Sequence, residues 1–134
     1  MATTFNFELV SPEKLLLSGE AELVTVPGAD GDMGILGNHS PVMTSLRPGL
    51  VSVKMSDGDD SEYFVKGGFA DITPEAVTVL AEFAVPRADL TKEVMVEQRK
   101  AAEEALNADK DENRKADLQF YLDQLTHFEE TAAL

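Results

Sequence analysis

Between Val26 and Pro41 the chain reads Val-Pro-Gly-Ala-Asp-Gly-Asp-Met-Gly-Ile-Leu-Gly-Asn-His-Ser-Pro, and Leu46-Arg-Pro-Gly-Leu50 follows shortly after. Glycines stand at 28, 31, 34 and 37, prolines at 27, 41 and 48 frame them, and His39 sits inside. Glycine is favoured where φ must be positive or where two backbones approach closely. Proline fixes φ and removes a backbone donor. No long helix can run through such a stretch. It suits short strands joined by shaped turns, and a shaped backbone on a surface commonly meets a partner.

The rest of the first part agrees with strands. Phe5, Phe7 and Leu9 alternate with Asn6 and Glu8. Leu15 to Leu17, then Ala21, Leu23, Val24 and Val26, form two further runs, followed by Met33 to Leu36, Val42 to Leu46 and Leu50 to Met55. Ser56-Asp-Gly-Asp-Asp60 carries the Asp-Gly signal of a hairpin turn. Tyr63 to Val65, Phe69 to Ile72 and Val77 to Leu80 complete the set, and Lys66-Gly-Gly68 interrupts it as a bulge or tight corner does. Many short strands with turn signals between them predict a β-sandwich or barrel.

After Pro86 there is neither proline nor glycine, and the apolar spacing becomes helical. A first helix is expected from about Thr91 to Leu106, capped by Asp89 or Thr91, with Val94, Ala101, Ala102, Ala105 and Leu106 as its apolar stripe. Asn107 to Asp111 reads as a turn. A second helix is expected from about Glu112 to Glu130, with Leu118, Tyr121, Leu122, Leu125 and Phe128 on one face. Two amphipathic helices joined by a short turn pack antiparallel. Each buries one face only, so the pair should lean on the sandwich or on another protein. The reading is therefore a β-sandwich over 1–86 and a helical hairpin over 87–134.

Composition narrows the function. The chain has 134 residues, no cysteine, and 25 acidic against 11 basic residues, a net charge of −14. Disulfides and thiolate metal sites are excluded. Nucleic-acid binding needs Lys and Arg to neutralise phosphates, and so does adsorption to anionic lipid; neither is expected. No apolar run approaches the ~20 residues of a membrane span. The N-terminus has no basic n-region or apolar h-region, so neither secretion nor membrane insertion is expected.

Catalytic motifs are missing. There is no Gly-x-Ser-x-Gly, and His39 and His127 fall in different parts of the chain. His39 and Ser40 are neighbours in an extended segment, so their side chains point to opposite faces. Asp30-Gly-Asp32 and Asp57-Gly-Asp59-Asp60 fail the calcium-loop spacing and read as turns. The glycines spell neither Gly-x-Gly-x-x-Gly nor a P-loop. No cofactor or metal is expected, and the chain reads as a binding or coupling protein.

The Val26–Pro41 segment with Leu46-Arg-Pro-Gly49 resembles the signature of the epsilon subunit of F-type ATP synthases. Leu9-Val-Ser-Pro-Glu13, Ser18-Gly19, Phe64-Val-Lys-Gly-Gly-Phe69 and Val77-Thr-Val-Leu-Ala-Glu82 are similar to its other segments. The resemblance is collinear over the sandwich and weaker in the hairpin. It implies about ten short strands in two sheets followed by two antiparallel helices. It also implies a non-catalytic rotor subunit of a proton-translocating ATP synthase, peripheral on the cytoplasmic face of the bacterial inner membrane. The implied partners are the gamma subunit, the c-ring loops and, through the hairpin, the alpha/beta subunits. Carried over residue by residue, Asp30, Gly31, Asp32 and Met33 would face the c-ring, with the acidic tip meeting a basic loop. Ser11, His39 and Thr44 would face gamma.

Two departures matter. Some members bind ATP through Ile/Leu-Asp-x-x-Arg-Ala, where this chain has Leu90-Thr-Lys-Glu-Val-Met95; no ATP binding is expected. Some inhibit ATP hydrolysis through basic residues of the second helix. Here that helix carries Arg114 and Lys115 against Glu112, Asp117, Asp123, Glu129 and Glu130, so at most weak inhibition is expected. Two other readings compete: an acidic β-sandwich adaptor with a helical arm for a different protein, and a small enzyme or ligand-binding sandwich using His39 with Asp30 or Asp32.

Overall fold

Nine strands precede two helices in the computed structural model, which describes residues 4–29 and 31–131, with no side chain described at Thr131. The strands are β1 (Phe5–Val10), β2 (Leu15–Gly28), β3 (Gly31–Leu36), β4 (Val42–Leu46), β5 (Gly49–Met55), β6 (Asp60–Val65), β7 (Gly68–Ile72), β8 (Ala76–Ala81) and β9 (Ala84–Pro86). A 3-10 turn over Arg87–Asp89 leads to α1 (Lys92–Ala108) and α2 (Glu112–Thr131). The chain separates into one compact unit through Arg87 and a second from Ala88.

The sandwich turns on β2. Its first half pairs antiparallel with β1, from Leu15 to Ala21. Its second half pairs with β5 and β3. A register shift between Ala21 and Leu23 marks the crossing from one layer to the other, where a bulge bends the strand. The two runs seen in the sequence are therefore one strand shared by both layers, and β9, which is not among those runs, brings the strands of the described residues to nine. One layer runs β3-β2-β5-β6-β9, the other β2-β1-β8-β7-β4. The β1–β8 pairing is parallel and joins the first strand to the eighth.

Alternation decides which faces meet. In β1, Phe5, Phe7 and Leu9 are buried while Asn6 and Glu8 are exposed. Val24, Val26, Ile35, Val51, Val53, Val65, Ala70, Ile72, Val77 and Val79 join them in one core. Such β-branched side chains suit a pleated, buried face. At the β7 corner Gly68 has φ 133°, and a Cβ there would lie 1.9 Å from the Leu80 carbonyl oxygen. Only glycine fits at 68, so the second glycine of Lys66-Gly-Gly68 is a backbone requirement of the fold. The Asp57-Gly58 turn is present, with Gly58 at φ 94° and its N–H on the Met55 carbonyl.

In the second unit, Thr91 caps α1: its Oγ1 accepts from Val94 N at 3.3 Å. The buried side chains of α1 are Met95 and Ala102, whereas Ala101 and Ala105 are exposed and Val94 and Leu106 are half-buried. This corrects the expected stripe. The packed face runs through Met95, Gln98, Arg99 and Ala102, so polar side chains with long stems hide its period from hydropathy. On α2 the expected face holds, with Leu125 buried and Leu118, Tyr121, Leu122 and Phe128 half-buried. An ion pair between Arg99 and Glu129 ties the two helices. The turn between them is built by aspartates: Asp109 Oδ1 accepts from Asp111 N, and Asp111 Oδ1 accepts from Asn113 N, each at 2.9 Å.

Candidate functional site: the β2–β3 tip and the outer face of the β4–β7–β8–β1 layer

The Gly/Pro segment forms a hairpin and the loop that leaves it. Gly28 pairs with Gly31, Pro27 with Asp32 and Val26 with Met33. A Cβ on Gly28 would approach the Gly31 carbonyl oxygen to 2.7 Å and Met33 Sδ to 3.3 Å, so close backbone approach requires this glycine. Asp30 lies outside the described residues. Asp32 and Gly31 are exposed and Met33 is half-buried. Three of the four residues carried over for the ring are thus brought together at one hairpin end.

Arg47 joins them. Its Nη1 donates to the Gly28 carbonyl and its Nη2 to Asp32 Oδ1, both at 2.6 Å. Its backbone N–H donates to the Pro27 carbonyl at 2.9 Å, and Ala29 N donates to the Ser45 carbonyl at 2.9 Å. The corner between β4 and β5 therefore braces the tip. Asp32 is an acid with a built-in counter-charge, so the tip presents an ion pair instead of the bare carboxylate expected from sequence. Arg47 was legible only as part of Leu-Arg-Pro-Gly; a lone cation beside a run of Asp and Gly was the available signal.

The three residues carried over for gamma are dispersed along the other layer. His39 lies in the loop before β4; its Nδ1 is 2.8 Å from the Ser40 carbonyl oxygen, as an N–H donor would be. That loop is held by Asn38, at φ 65°, whose N–H donates to the Pro74 carbonyl. Thr44 is half-buried in β4, on the core side of the strand with Leu46, and donates to the Ser45 carbonyl at 3.2 Å. Ser11 sits in the β1–β2 turn and donates to the Lys14 carbonyl at 3.3 Å. Each side chain closes on backbone near itself, and His39 Nδ1 is engaged with a main-chain oxygen, not with Ser40 Oγ.

An apolar row lies on the outer face of this layer, the face opposite Thr44. Ser45, Phe69, Leu80 and Val10 pair successively across β4, β7, β8 and β1. Directly paired residues point to the same face. Phe69 is 51% exposed and Leu80 49%, and Met43, two residues from Ser45 and so on the same face, is 67% exposed. These are large side chains left uncovered on a sheet whose other face is core. They were missed in the sequence because exposure of one strand face cannot be told from burial on both faces by the residues alone. Among the described residues no group of three or more His, Cys, Asp or Glu could hold a metal ion, and no helix is long and apolar enough to cross a membrane.

Comparison with known proteins identifies the family of this fold. Residues 4–87 match the family model described as ATP synthase, Delta/Epsilon chain, beta-sandwich domain. The ATP synthase epsilon chain of Parvibaculum lavamentivorans is 43% identical, over 97% of this chain and 96% of that one. That of Mesorhizobium japonicum is 46% identical, over 96% of each. A chain in the structure of the Euglena gracilis mitochondrial ATP synthase, OSCP/F1/c-ring, shares the fold with a TM-score of 0.73 at 22% identity, covering 100% of this chain and 84% of its own. With the sandwich matched throughout and relatives matched over nearly their full length, the chain belongs to the ATP synthase delta/epsilon family, among its epsilon chains.

Proposed function

We propose that this chain works in the central stalk of a bacterial proton-translocating F-type ATP synthase. It makes no bond and breaks none. It binds the gamma subunit, rests on the c-ring loops, and so couples ring rotation to ATP synthesis at the alpha/beta sites. As part of the complex it lies at the cytoplasmic face of the inner membrane.

The observation that carries this reading is the pair of distinct surfaces on one sandwich. The uncovered row of Met43, Phe69 and Leu80 suits an apolar partner face, and exposed apolar patches of this kind mark interaction sites. Gamma is assigned to this outer face, with Ser11 and His39 in the loops that flank the layer; Thr44, on the core side of β4, lies on the opposite face of that strand. The β2–β3 tip, with Gly31, Asp32 and Met33, is polar and braced; the ring is assigned to it. A sheet that carries both contacts transmits torque through backbone hydrogen bonds between strands.

The second helix gives little basis for inhibition of ATP hydrolysis. Arg114 lies 3.8 Å from Asp109 and 3.9 Å from Asp111, so one of its two cations is already partnered in the turn. An acidic segment of another subunit would meet a helix with more acids than bases.

Calorimetry of the full chain against a purified cognate gamma subunit tests the assignment. Phe69→Ser should weaken binding about tenfold or more, as loss of a central apolar contact does, while Asp32→Arg should leave it within about twofold. Equal weakening by both variants, or none by Phe69→Ser, contradicts the division into two surfaces. No binding by the wild-type chain contradicts the stalk reading.

A further inference from the structure

We propose that Arg47 is the positioning residue of the tip: it fixes the β2–β3 hairpin and the Asp32 carboxylate in the attitude presented to a partner. The proposal rests on the reading of the tip as the ring contact. Three bonds place it. The guanidinium spans two acceptors, the Gly28 carbonyl and Asp32 Oδ1, each at 2.6 Å, and the Arg47 backbone N–H holds the Pro27 carbonyl at 2.9 Å. Because two nitrogens of one rigid plane engage two acceptors, the fork cannot rotate without losing one of them. Pro48 follows directly, and its fixed φ restricts the backbone that carries Arg47. The bonds link the corner between β4 and β5 to both strands of the hairpin, so the tip does not rely on the β2–β3 pairing alone.

The side chains of Arg47 and Asp32 are 32% and 66% exposed. An exposed ion pair adds little to stability, so this pair serves geometry more than folding. Asp32 is held yet still reachable. The surface offered is a guanidinium beside a carboxylate. It fits a polar loop supplying both a donor and an acceptor better than it fits a cluster of bases. Lysine would substitute only in part, since an ammonium lacks the planar fork that meets both acceptors.

Amide hydrogen exchange on the full chain, and capture of detergent-solubilised c-ring by the full chain bound to gamma, test the proposal together. Arg47→Ala should raise exchange at the Ala29 amide on the order of tenfold, by local opening. The midpoint of thermal unfolding should shift by no more than about 2 °C. Ring capture should weaken about tenfold. Arg47→Lys should fall between wild type and Arg47→Ala in both exchange and capture. Asp32→Asn, which keeps the Gly28 bond, should leave Ala29 exchange near the wild-type rate. Unchanged Ala29 exchange in Arg47→Ala overturns the brace. Raised exchange with unchanged ring capture overturns the positioning role. Failure of the wild-type chain to capture the ring overturns the ring reading, and the exchange result then decides the brace by itself.

Discussion

The sandwich and the hairpin reach stability by different means. In the sandwich two layers share a strand and close on one core, so Phe7, Leu9, Val24, Ile35 and Val79 are each fully buried. In the hairpin, Met95, Ala102 and Leu125 are the buried helix side chains among the described residues, and the fastenings are a cap, an ion pair and an aspartate-built turn. Non-local strand pairing with a continuous core makes a rigid body. Helices held by few buried contacts belong to the low-stability end of a structure. A rotor needs rigidity where torque passes, and the two proposed contact surfaces both lie on the sandwich.

The sharpest way to break this comparison is to strike the corner where the sandwich leaves no room. Gly68→Ala should abolish cooperative folding or lower stability by about 3 kcal/mol or more, because strain at positive φ adds to a backbone clash. Urea unfolding of the purified variant measures it; a loss below about 1 kcal/mol would mean that the β7–β8 approach relaxes easily. Next, Phe7→Ala should remove about 3–5 kcal/mol from a centre that is fully buried. If the same experiment cost less than Met95→Ala in the hairpin, the contrast drawn between the units would be wrong.

Smaller effects are expected in the hairpin. Arg99→Ala removes the link to Glu129, and both side chains retain some exposure, 32% and 14%. The expected loss is about 1 kcal/mol, discounted for solvent screening. It should appear as faster amide exchange in α2 with unchanged exchange in β1 and β8. Thr91→Ala should cost about 1 kcal/mol or less through the cap alone, seen as fraying of the first turn of α1 by NMR. Fraying that spread into the strands would show the two units to be one cooperative body.

What the sequence revealed follows the same division. Period-two alternation in β1 and the Asp-Gly turn were legible because each depends on local chemistry. The cap of α1 was narrowed to Asp89 or Thr91, and the fold chooses Thr91. The continuity of β2 was not legible, since Ser18-Gly19-Glu20 looks like a break until β1 pairs through it. Of the stripe expected on α1, Ala102 is buried but Ala101 and Ala105 are exposed, because Gln98 and Arg99 share the packed face with Met95 and Ala102. At the tip, the glycines announced a shaped hairpin and Asp32 was singled out, but its bond to Arg47 spans 15 positions and depends on the fold. The exposed row of Met43, Phe69 and Leu80 became visible only once the register fixed which face each strand shows.

The central claim is that the sandwich by itself carries the contact with gamma. The direct measurement is the calorimetric affinity of purified cognate gamma subunit for residues 1–87 and for the full chain under one salt condition. The account predicts that the shorter chain unfolds cooperatively and binds within about threefold of the full chain, a difference of less than about 1 kcal/mol. A folded 1–87 that binds gamma more than about tenfold more weakly would contradict it and move part of the interface into the hairpin.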